Sequence, residues 1–477
     1  MKRFMSRYDA RYPRILAYML QTSEYSVKEY VTWQNRTDSF SEVMRRGELK
    51  KTQKSQLILL LIWVILLGLI ALGAVVFWYG LEESFARMFL GVIIALAAPL
   101  LTAYIIIIPL WFGEILIQKP KEKRMIINAK QKLKNHKALR IAVVGSYGKT
   151  TCKEILKTVL SESKKVAAAP GNMNTLIGTS RFIDSLSGDE DILIFELGES
   201  HPGDVDELCD LIEPDMGIIT GINEAHLSTF KKISKTIETI FEVSKYVNEN
   251  SLYKNGESEF VLKKVSKHDP MLFTKKGVNG WQVKNVVVSI HGTKFTAQKE
   301  NAVIWAETGL LGEHNIGALT AAIDIAQKVG LAVGQIADGI KKTGAFEHRM
   351  QPRQLHGAWI IDDTYNGNKE GVAAGLKLLK QLEAKRRVYI TPGLVEQGDK
   401  TNEIHKNIGE KIAVCADVVV LMQNSATEAI TSGLKSKNFN GQLKIIDNPL
   451  EFYENIEQFI AAGDIVLMQN DWTDNYA

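Results

Sequence analysis

Two long uncharged stretches limit what this chain can fold into. Leu57–Tyr79 and Met88–Phe112 contain no Asp, Glu, Lys or Arg. Each exceeds the roughly 20 residues an α-helix needs to cross the hydrocarbon core of a bilayer. Only a short segment bearing Glu82, Glu83 and Arg87 separates them. Two such runs back to back predict a two-helix transmembrane hairpin, the competing reading being a pair of buried core helices. Trp63, Trp78, Tyr79 and Trp111 fall mostly near the run ends, where amphipathic rings prefer a membrane interface. Twelve lysines and arginines precede the first run, Lys119, Lys121, Lys123 and Arg124 follow the second, and the turn holds Arg87 alone. The positive-inside rule then puts both termini and the flanking domains in the cytoplasm, on a multi-pass cytoplasmic-membrane protein. The first run starts too late and is too long for a cleaved signal peptide. The basic segment 1–55 carries Phe4, Tyr8, Tyr12, Tyr18, Tyr25, Tyr30 and Trp33. It reads either as an interfacial helix on an anionic leaflet or as an ordinary solvated helix.

A length of 477 residues makes one compact core an unfavourable expectation and implies two or three domains. A chain that is 45% hydrophobic and 23% charged is globular in composition. The net charge of +4, with no arginine-rich or aromatic-basic stripe, argues against a nucleic-acid partner. Cys152, Cys209 and Cys415 lie far apart and form no CxxC pair, so a reducing compartment fits and a disulfide framework does not.

Arg140–Val144 is a short apolar run and a candidate buried strand. Gly145-Ser146-Tyr147-Gly148-Lys149-Thr150-Thr151 follows, and Cys152–Leu160 has helical spacing at Ile155, Leu156, Val159 and Leu160. Strand, glycine turn, Lys-Thr and helix form a phosphate cradle. Glycines let backbone N–H groups turn toward an anion, the helix start adds positive dipole, the lysine reaches outer phosphates and the hydroxyl ligates Mg²⁺. The usual G-x-x-x-x-G-K-[ST] spacing is not met, because Val143 stands before the shorter G-x-x-G-K-T. Downstream, Asp191–Phe195 is a second apolar strand ending at Glu196, a carboxylate at the ligand-facing end of an α/β sheet. Met216–Thr220 is a third, leading through Gly221-Ile-Asn-Glu-Ala to His226, which is either a metal ligand or a plain loop residue.

In this order the motifs resemble the Mur ligase family, cytoplasmic enzymes that build the peptide stem of peptidoglycan. The resemblance is strongest to the members that add D-alanyl-D-alanine to UDP-MurNAc-tripeptide. It is carried by Gly145–Thr151, Gly171-Asn-Met-Asn174 with Ile177-Gly178, and Phe195-Glu-Leu-Gly198 with Pro202-Gly203. It continues through Asn223 with Ala225-His-Leu227, Gly312-Glu-His-Asn-Ile316 with Ala321-Ala322, His348-Arg-Met350, and Ile361-Asp-Asp-Thr-Tyr-Asn366, covering roughly residues 138–477. The resemblance implies ATP and Mg²⁺ as cofactors. By matched position, Lys149 would hold the outer phosphates, Thr150 a Mg²⁺, and Glu196 and His226 metal between nucleotide and substrate. Asn315 would contact the adenine, Arg349 and Asp363 would close over the nucleotide, and Tyr365 and Asn366 would lie near the base. The implied reaction joins a carboxylate-bearing peptide or muropeptide to an amino acid or dipeptide amine through an acyl phosphate.

The expected fold is α/β, with a basic segment at 1–55, the hairpin at 56–113, a central P-loop ATPase domain with a parallel sheet at 114–346 and a C-terminal Rossmann-like domain at 347–477. Strands are predicted at Trp359–Ile361, Val388–Ile390, Val418–Leu421 and Ile465–Met468, helices over Asn315–Val329 and Gly330–Phe346, and a β-rich insertion over Asn250–Glu307. Three departures from the family stand out. Its N-terminal UDP-sugar domain has no counterpart, so a lipid-linked acceptor is one expectation. Its carbamylated lysine is matched by Ile240, between Glu238 and Glu242, so either a glutamate supplies the missing charge, or Lys245 serves with a shifted register, or catalysis is impaired. Its C-terminal Lys-Gly-Ser turn is matched by Gln469-Asn-Asp-Trp472. The competing functions are a membrane-associated polyglutamate-type or folylpolyglutamate-type ligase, a catalytically weak ATP-binding cell-wall scaffold, and, least favoured, a transport ATPase.

Overall fold

The computed structural model describes residues 2–44, 47–171, 173–224, 227–365, 367–394 and 400–470. The chain divides into two compact units, one ending at Arg124 and the other running over Met125–Asp471.

In the first unit the two apolar runs are helices, Gln53–Glu83 and Phe85–Ile105. Both are long and apolar enough to cross a membrane. A capping box starts the first, the Thr52 hydroxyl accepting from the Ser55 N–H and the Ser55 hydroxyl from the Thr52 N–H. The reversal is tighter than the polar segment suggested. Helix runs through Glu82, and only Ser84 is extended (φ −169°), its hydroxyl capping the second helix at the Ala86 N–H. The helices touch through backbone, since a Cβ on Gly91 would lie 2.5 Å from the Phe77 nitrogen. Leu60, Trp63, Leu67, Trp78 and Phe89 remain exposed on the hairpin.

The basic N-terminal segment is not a solvated helix. Helices Tyr12–Thr22 and Val27–Arg36 bury Tyr12, Ile15, Leu16, Leu20 and Tyr30 against Ile58, Ile62, Ala103 and Ile106. The Tyr30 hydroxyl donates to the Ala103 carbonyl at 3.0 Å, and the Tyr8 hydroxyl to that of Leu96, on either side of Pro99 in the second long helix.

The second unit holds three sheets. The first is parallel, in the order β2-β3-β1-β4-β5-β6: β1 Leu139–Val144, β2 Val166–Ala168, β3 Ile192–Glu196, β4 Met216–Ile219, β5 Leu252–Asn255 and β6 Leu272–Phe273. Its strands read as apolar runs because both faces are covered. Ile141 and Val143 face a layer built from helices Lys149–Leu160 and Ile316–Lys328, while Ala142 and Val144 face a layer with Phe182, Leu208 and Ile240. Val143 pairs with Glu196 and Val144 with Ile219, so the C-terminal ends of β1, β3 and β4 form one edge. Strand order reverses around β1, and ligands of such sheets bind at that point.

The predicted β-rich insertion divides in two. β5 and β6 extend the parallel sheet, whereas β7 Gly277–Val278, β8 Trp281–Ser289, β9 Gly292–Lys299 and β10 Ala302–Thr308 form an antiparallel sheet. The helix predicted over Gly330–Phe346 is shorter, Val333–Lys341, because Gly330 (φ +89°) ends the preceding helix. The third sheet has the order β11-β12-β16-β13-β14-β15: β11 Gln351–Leu355, β12 Ala358–Asp363, β13 Arg386–Thr391, β14 Val418–Met422, β15 Gln442–Ile446 and β16 Asp464–Gln469. All its neighbours are parallel except β11 with β12. β11 and β15 carry few buried apolar side chains, and apolar runs had not marked them.

Candidate functional site

The loop after β1 is pinned to the end of β4. Gly145 adopts φ +146°, and a Cβ there would lie 2.4 Å from Thr220 Oγ1. That hydroxyl donates to the Tyr147 carbonyl at 2.5 Å, and the Ser146 N–H donates to the Gly221 carbonyl at 2.7 Å. Gly148 (φ +77°) then turns the chain into a helix that starts at Lys149, three residues before the apolar spacing begins. The first N–H groups of a helix lack intrahelical partners and form an anion site. Ser146 Oγ is buried there without a hydrogen-bond partner.

Lys149 Nζ donates to the Gly145 carbonyl and to Glu199 Oε2, the latter at 2.8 Å. Glu196, the last residue of β3, is 4% exposed. Its Oε1 lies 3.5 Å from Asn174 Nδ2, and its Oε2 receives no hydrogen bond and stands 3.5 Å from Lys153 Nζ. Lys153 is wholly buried and also donates to the Ala169 and Gly171 carbonyls, at 2.8 and 2.9 Å. A buried carboxylate oxygen without a donor, next to an anion loop, fits a hard cation such as Mg²⁺.

Arg349 reaches this loop from the turn before β11, its Nη2 3.4 Å from Thr150 Oγ1 and its guanidinium 4.5 Å from the Tyr365 ring centre. The turn is held by Asp363, which accepts from the Met350 N–H at 3.2 Å and from Gln469 Nε2 at 2.7 Å. Burial pushes the Asp363 carboxyl up to about 6, against the Gln469 and Met350 hydrogen bonds and the Arg349 charge, which lower it. The folded protein therefore binds the extra proton, and this group's contribution to stability falls as pH rises from about 4 to about 6. The ionised form, whose charge acts on Arg349, is lost below about 6. An acid limb in kcat/KM is expected there, and Gln469→Leu, which removes a donor, should move that limb to higher pH; an unmoved limb would separate Asp363 from the profile.

These groups line two adjoining cavities of about 880 and 520 Å³. Lys149, Thr150, Glu196, Glu199 and Arg349 wall the first. Thr151, Asn315, Arg349, Asp363 and Tyr365 wall the second, and Tyr147 and Gly148 border both. Asn315 is 7% exposed and donates to the Leu311 carbonyl at 2.9 Å. Asn223 donates to Glu370 and Lys400 pairs with Glu224, both at 2.8 Å, tying the first sheet's loops to the third sheet's helices. His226 and Asn366 lie outside the described residues.

The expected substitutes for the carbamylated lysine are elsewhere. Ile240 is fully buried in the apolar layer, Glu238 pairs with Lys235 on the surface, Glu242 accepts the Asp206 N–H and Lys245 pairs with Asp206. None of the four walls either cavity. Sequence reasoning missed Glu199 and Lys153, and marked Gln469 only as the start of the stretch matching the family's C-terminal turn, without its bond to Asp363. Glu199 directly follows the matched Phe195–Gly198 stretch, and its place next to the strand-end Glu196 was the available signal.

Residues 143–326 match the Mur ligase middle domain, and residues 348–469 match the Mur ligase glutamate ligase domain. The UDP-N-acetylmuramoyl-tripeptide–D-alanyl-D-alanine ligase of Haemophilus influenzae is 25% identical over 324 residues, 66% of this chain and 70% of the relative. The chain spans about two thirds of the length of the curated relatives it matches. Among solved structures, MurF from Acinetobacter baumannii superposes with a TM-score of 0.64 at 22% identity, covering 73% of this chain and 77% of that one. MurF from Thermotoga maritima, solved in complex with ADP, gives 0.62 at 24% identity, covering 73% and 80%. Two successive domain matches, the shared fold and the loop, strand-end acid and junction arginine in one cleft agree: the chain belongs to the Mur ligase family of ATP-dependent peptide ligases.

Proposed function

We propose that this chain uses ATP to join a carboxylate of a peptidoglycan precursor to an amine, acting at a membrane surface. The observation that carries the reading is the convergence of Lys149, Glu196 and Arg349 on one cleft next to a second cavity bearing Asn315 and Tyr365. The adenine would occupy the second cavity and the phosphates the first. Lys149 and the N–H groups of the helix start hold the outer phosphates, and Arg349 covers them from the other sheet. Thr150, Glu196 and His226 would hold Mg²⁺, which supplies positive charge among the phosphates. A substrate carboxylate oxygen attacks the γ-phosphorus and the bond to ADP breaks, giving an acyl phosphate. The amine nitrogen then attacks the carbonyl carbon, and inorganic phosphate leaves as the amide forms. This chemistry needs clamping and charge more than a dedicated nucleophile. ATP turnover should require Mg²⁺, a carboxylate acceptor and an amine together. Equal hydrolysis by the protein alone would end the ligase reading.

The exposed apolar side chains of the helix pair support a bilayer anchor, since so large an apolar surface is unstable in water. Both flanks are basic, which supports cytoplasmic ends. The full chain is expected in the membrane pellet and a chain lacking residues 1–124 in the supernatant. If that fragment ligates UDP-MurNAc-tripeptide and D-alanyl-D-alanine as efficiently as the full chain in membranes, a lipid-linked acceptor is unnecessary.

A further inference from the structure

This inference rests on the bilayer-anchor part of the reading above. In the first unit, the short helix Lys2–Met5 and the helical turn Ser6–Tyr8 lie against the second long helix with their polarity reversed. Phe4, Met5 and Tyr8 are 51, 63 and 42% exposed, whereas Ser6 and Arg7 are each 9% exposed. The inward side chains meet protein. Arg3 Nη2 donates to the Gln34 carbonyl at 2.8 Å, and Ser6 Oγ accepts from the Phe40 N–H at 3.0 Å. The Arg7 guanidinium stands 5.4 Å from the Phe40 ring centre. In water a peripheral segment gains by the opposite arrangement, with apolar side chains in and cations out. Cations turned inward and apolar groups turned outward suit a lipid neighbour, against which ionisable side chains face the protein interior.

Depth along the hairpin agrees. Leu96, whose carbonyl receives the Tyr8 hydroxyl, stands about 16 Å past Phe85 along the helix at 1.5 Å per residue. Ala103, whose carbonyl receives the Tyr30 hydroxyl, stands about 27 Å past it on the same count. A hydrocarbon core of about 30 Å, measured from the turn between the two helices, takes in both carbonyls and has Ala103 near its far boundary. We propose that Lys2–Tyr8 is a third membrane-embedded element, with Phe4, Met5 and Tyr8 among phospholipid acyl chains just beneath the cytoplasmic headgroups. Lys2 on this segment and Arg14 on the next helix are exposed, and their long stems carry the charges to the headgroup layer. Part of the basic flank that hydropathy assigns to the cytoplasm therefore sits inside the leaflet.

The test uses the full chain in phospholipid vesicles, with Cys415→Ala leaving the buried Cys152 and Cys209. A fluorophore is attached in turn to Met5→Cys, Leu67→Cys or Leu450→Cys, all three positions being exposed. Lipids brominated high on the acyl chain are expected to quench the Met5→Cys probe several-fold more than the Leu450→Cys probe, and more than lipids brominated near the chain end do. Aqueous iodide should give the reverse order for the two probes. A Met5→Cys probe open to iodide and untouched by brominated lipid overturns the proposal. So does one shielded from both quenchers, which would mean cover by protein such as a second copy of the chain. Lipid quenching at Leu67→Cys without quenching at Met5→Cys sinks this inference and leaves the anchor standing. A Leu67→Cys probe that brominated lipid does not quench brings down the anchor reading, and this one with it.

Discussion

Lys149→Ala is expected to lower ATP turnover roughly 10²–10³-fold, the usual cost of deleting one preorganised charge from a transition-state site. It should also destabilise the fold, because the substitution removes the ammonium that pairs with Glu199, whose side chain is 2% exposed. Removing one partner of a buried ion pair typically costs about 3 kcal/mol. The two effects separate in the double variant Lys149→Ala/Glu199→Gln, where both charges of the pair are gone. Its thermal midpoint should return most of the way to wild type while turnover stays low. Turnover that recovers along with stability would mean that the lysine's role is structural, and the loop would drop out of the mechanism.

Arg349→Ala is expected to reduce turnover by about 100-fold with little change in stability. Its guanidinium is half-buried, stacks on Tyr365 at 4.5 Å and reaches toward Thr150, so it bridges the loop of one sheet and the turn preceding another. Lysine has no planar fork to stack on the ring, so Arg349→Lys should behave more like alanine than like wild type. Steady-state kinetics with ATP and acceptor varied in turn would show the loss mainly in kcat. A wild-type kcat in Arg349→Lys would leave the arginine with no role in closing the cleft.

Much of this site could be read before any fold was seen, because its parts are local. A glycine turn followed by Lys149-Thr150 between an apolar strand and an amphipathic helix states its own geometry, and β1 with the helix Lys149–Leu160 has that form. Glu196 was legible for the same reason, as the acid closing an apolar strand. Lys153 was not. Its sequence context is an ordinary helix position, and only the tertiary approach of the Ala169–Gly171 segment turns a surface-type residue into a buried donor. Gln469 was equally opaque, because its partner Asp363 lies more than a hundred residues earlier. Glu238, Glu242 and Lys245, the charges expected near Ile240, line neither cavity. Helical spacing instead turns Ile240 into the apolar layer, and a cleft carboxylate comes from the segment after β3. For the hairpin, hydropathy marked both helices, but the packing of Tyr12–Arg36 against them depends on side-chain shape and on two tyrosine hydroxyls reaching helix carbonyls.

β16 lies in the middle of its sheet, between β12 and β13, although among the described residues it is the last strand in chain order. A ribosome must therefore translate as far as Gln469 before the junction arginine's support can form. Products of premature termination upstream of Asp464 would lack the sheet's central plank and the amide that steadies Asp363. Half-made chains should then be targets for proteolysis rather than uncontrolled consumers of ATP, and appending a reporter just beyond Asn470 would disturb the cleft more than one placed ahead of the first helix.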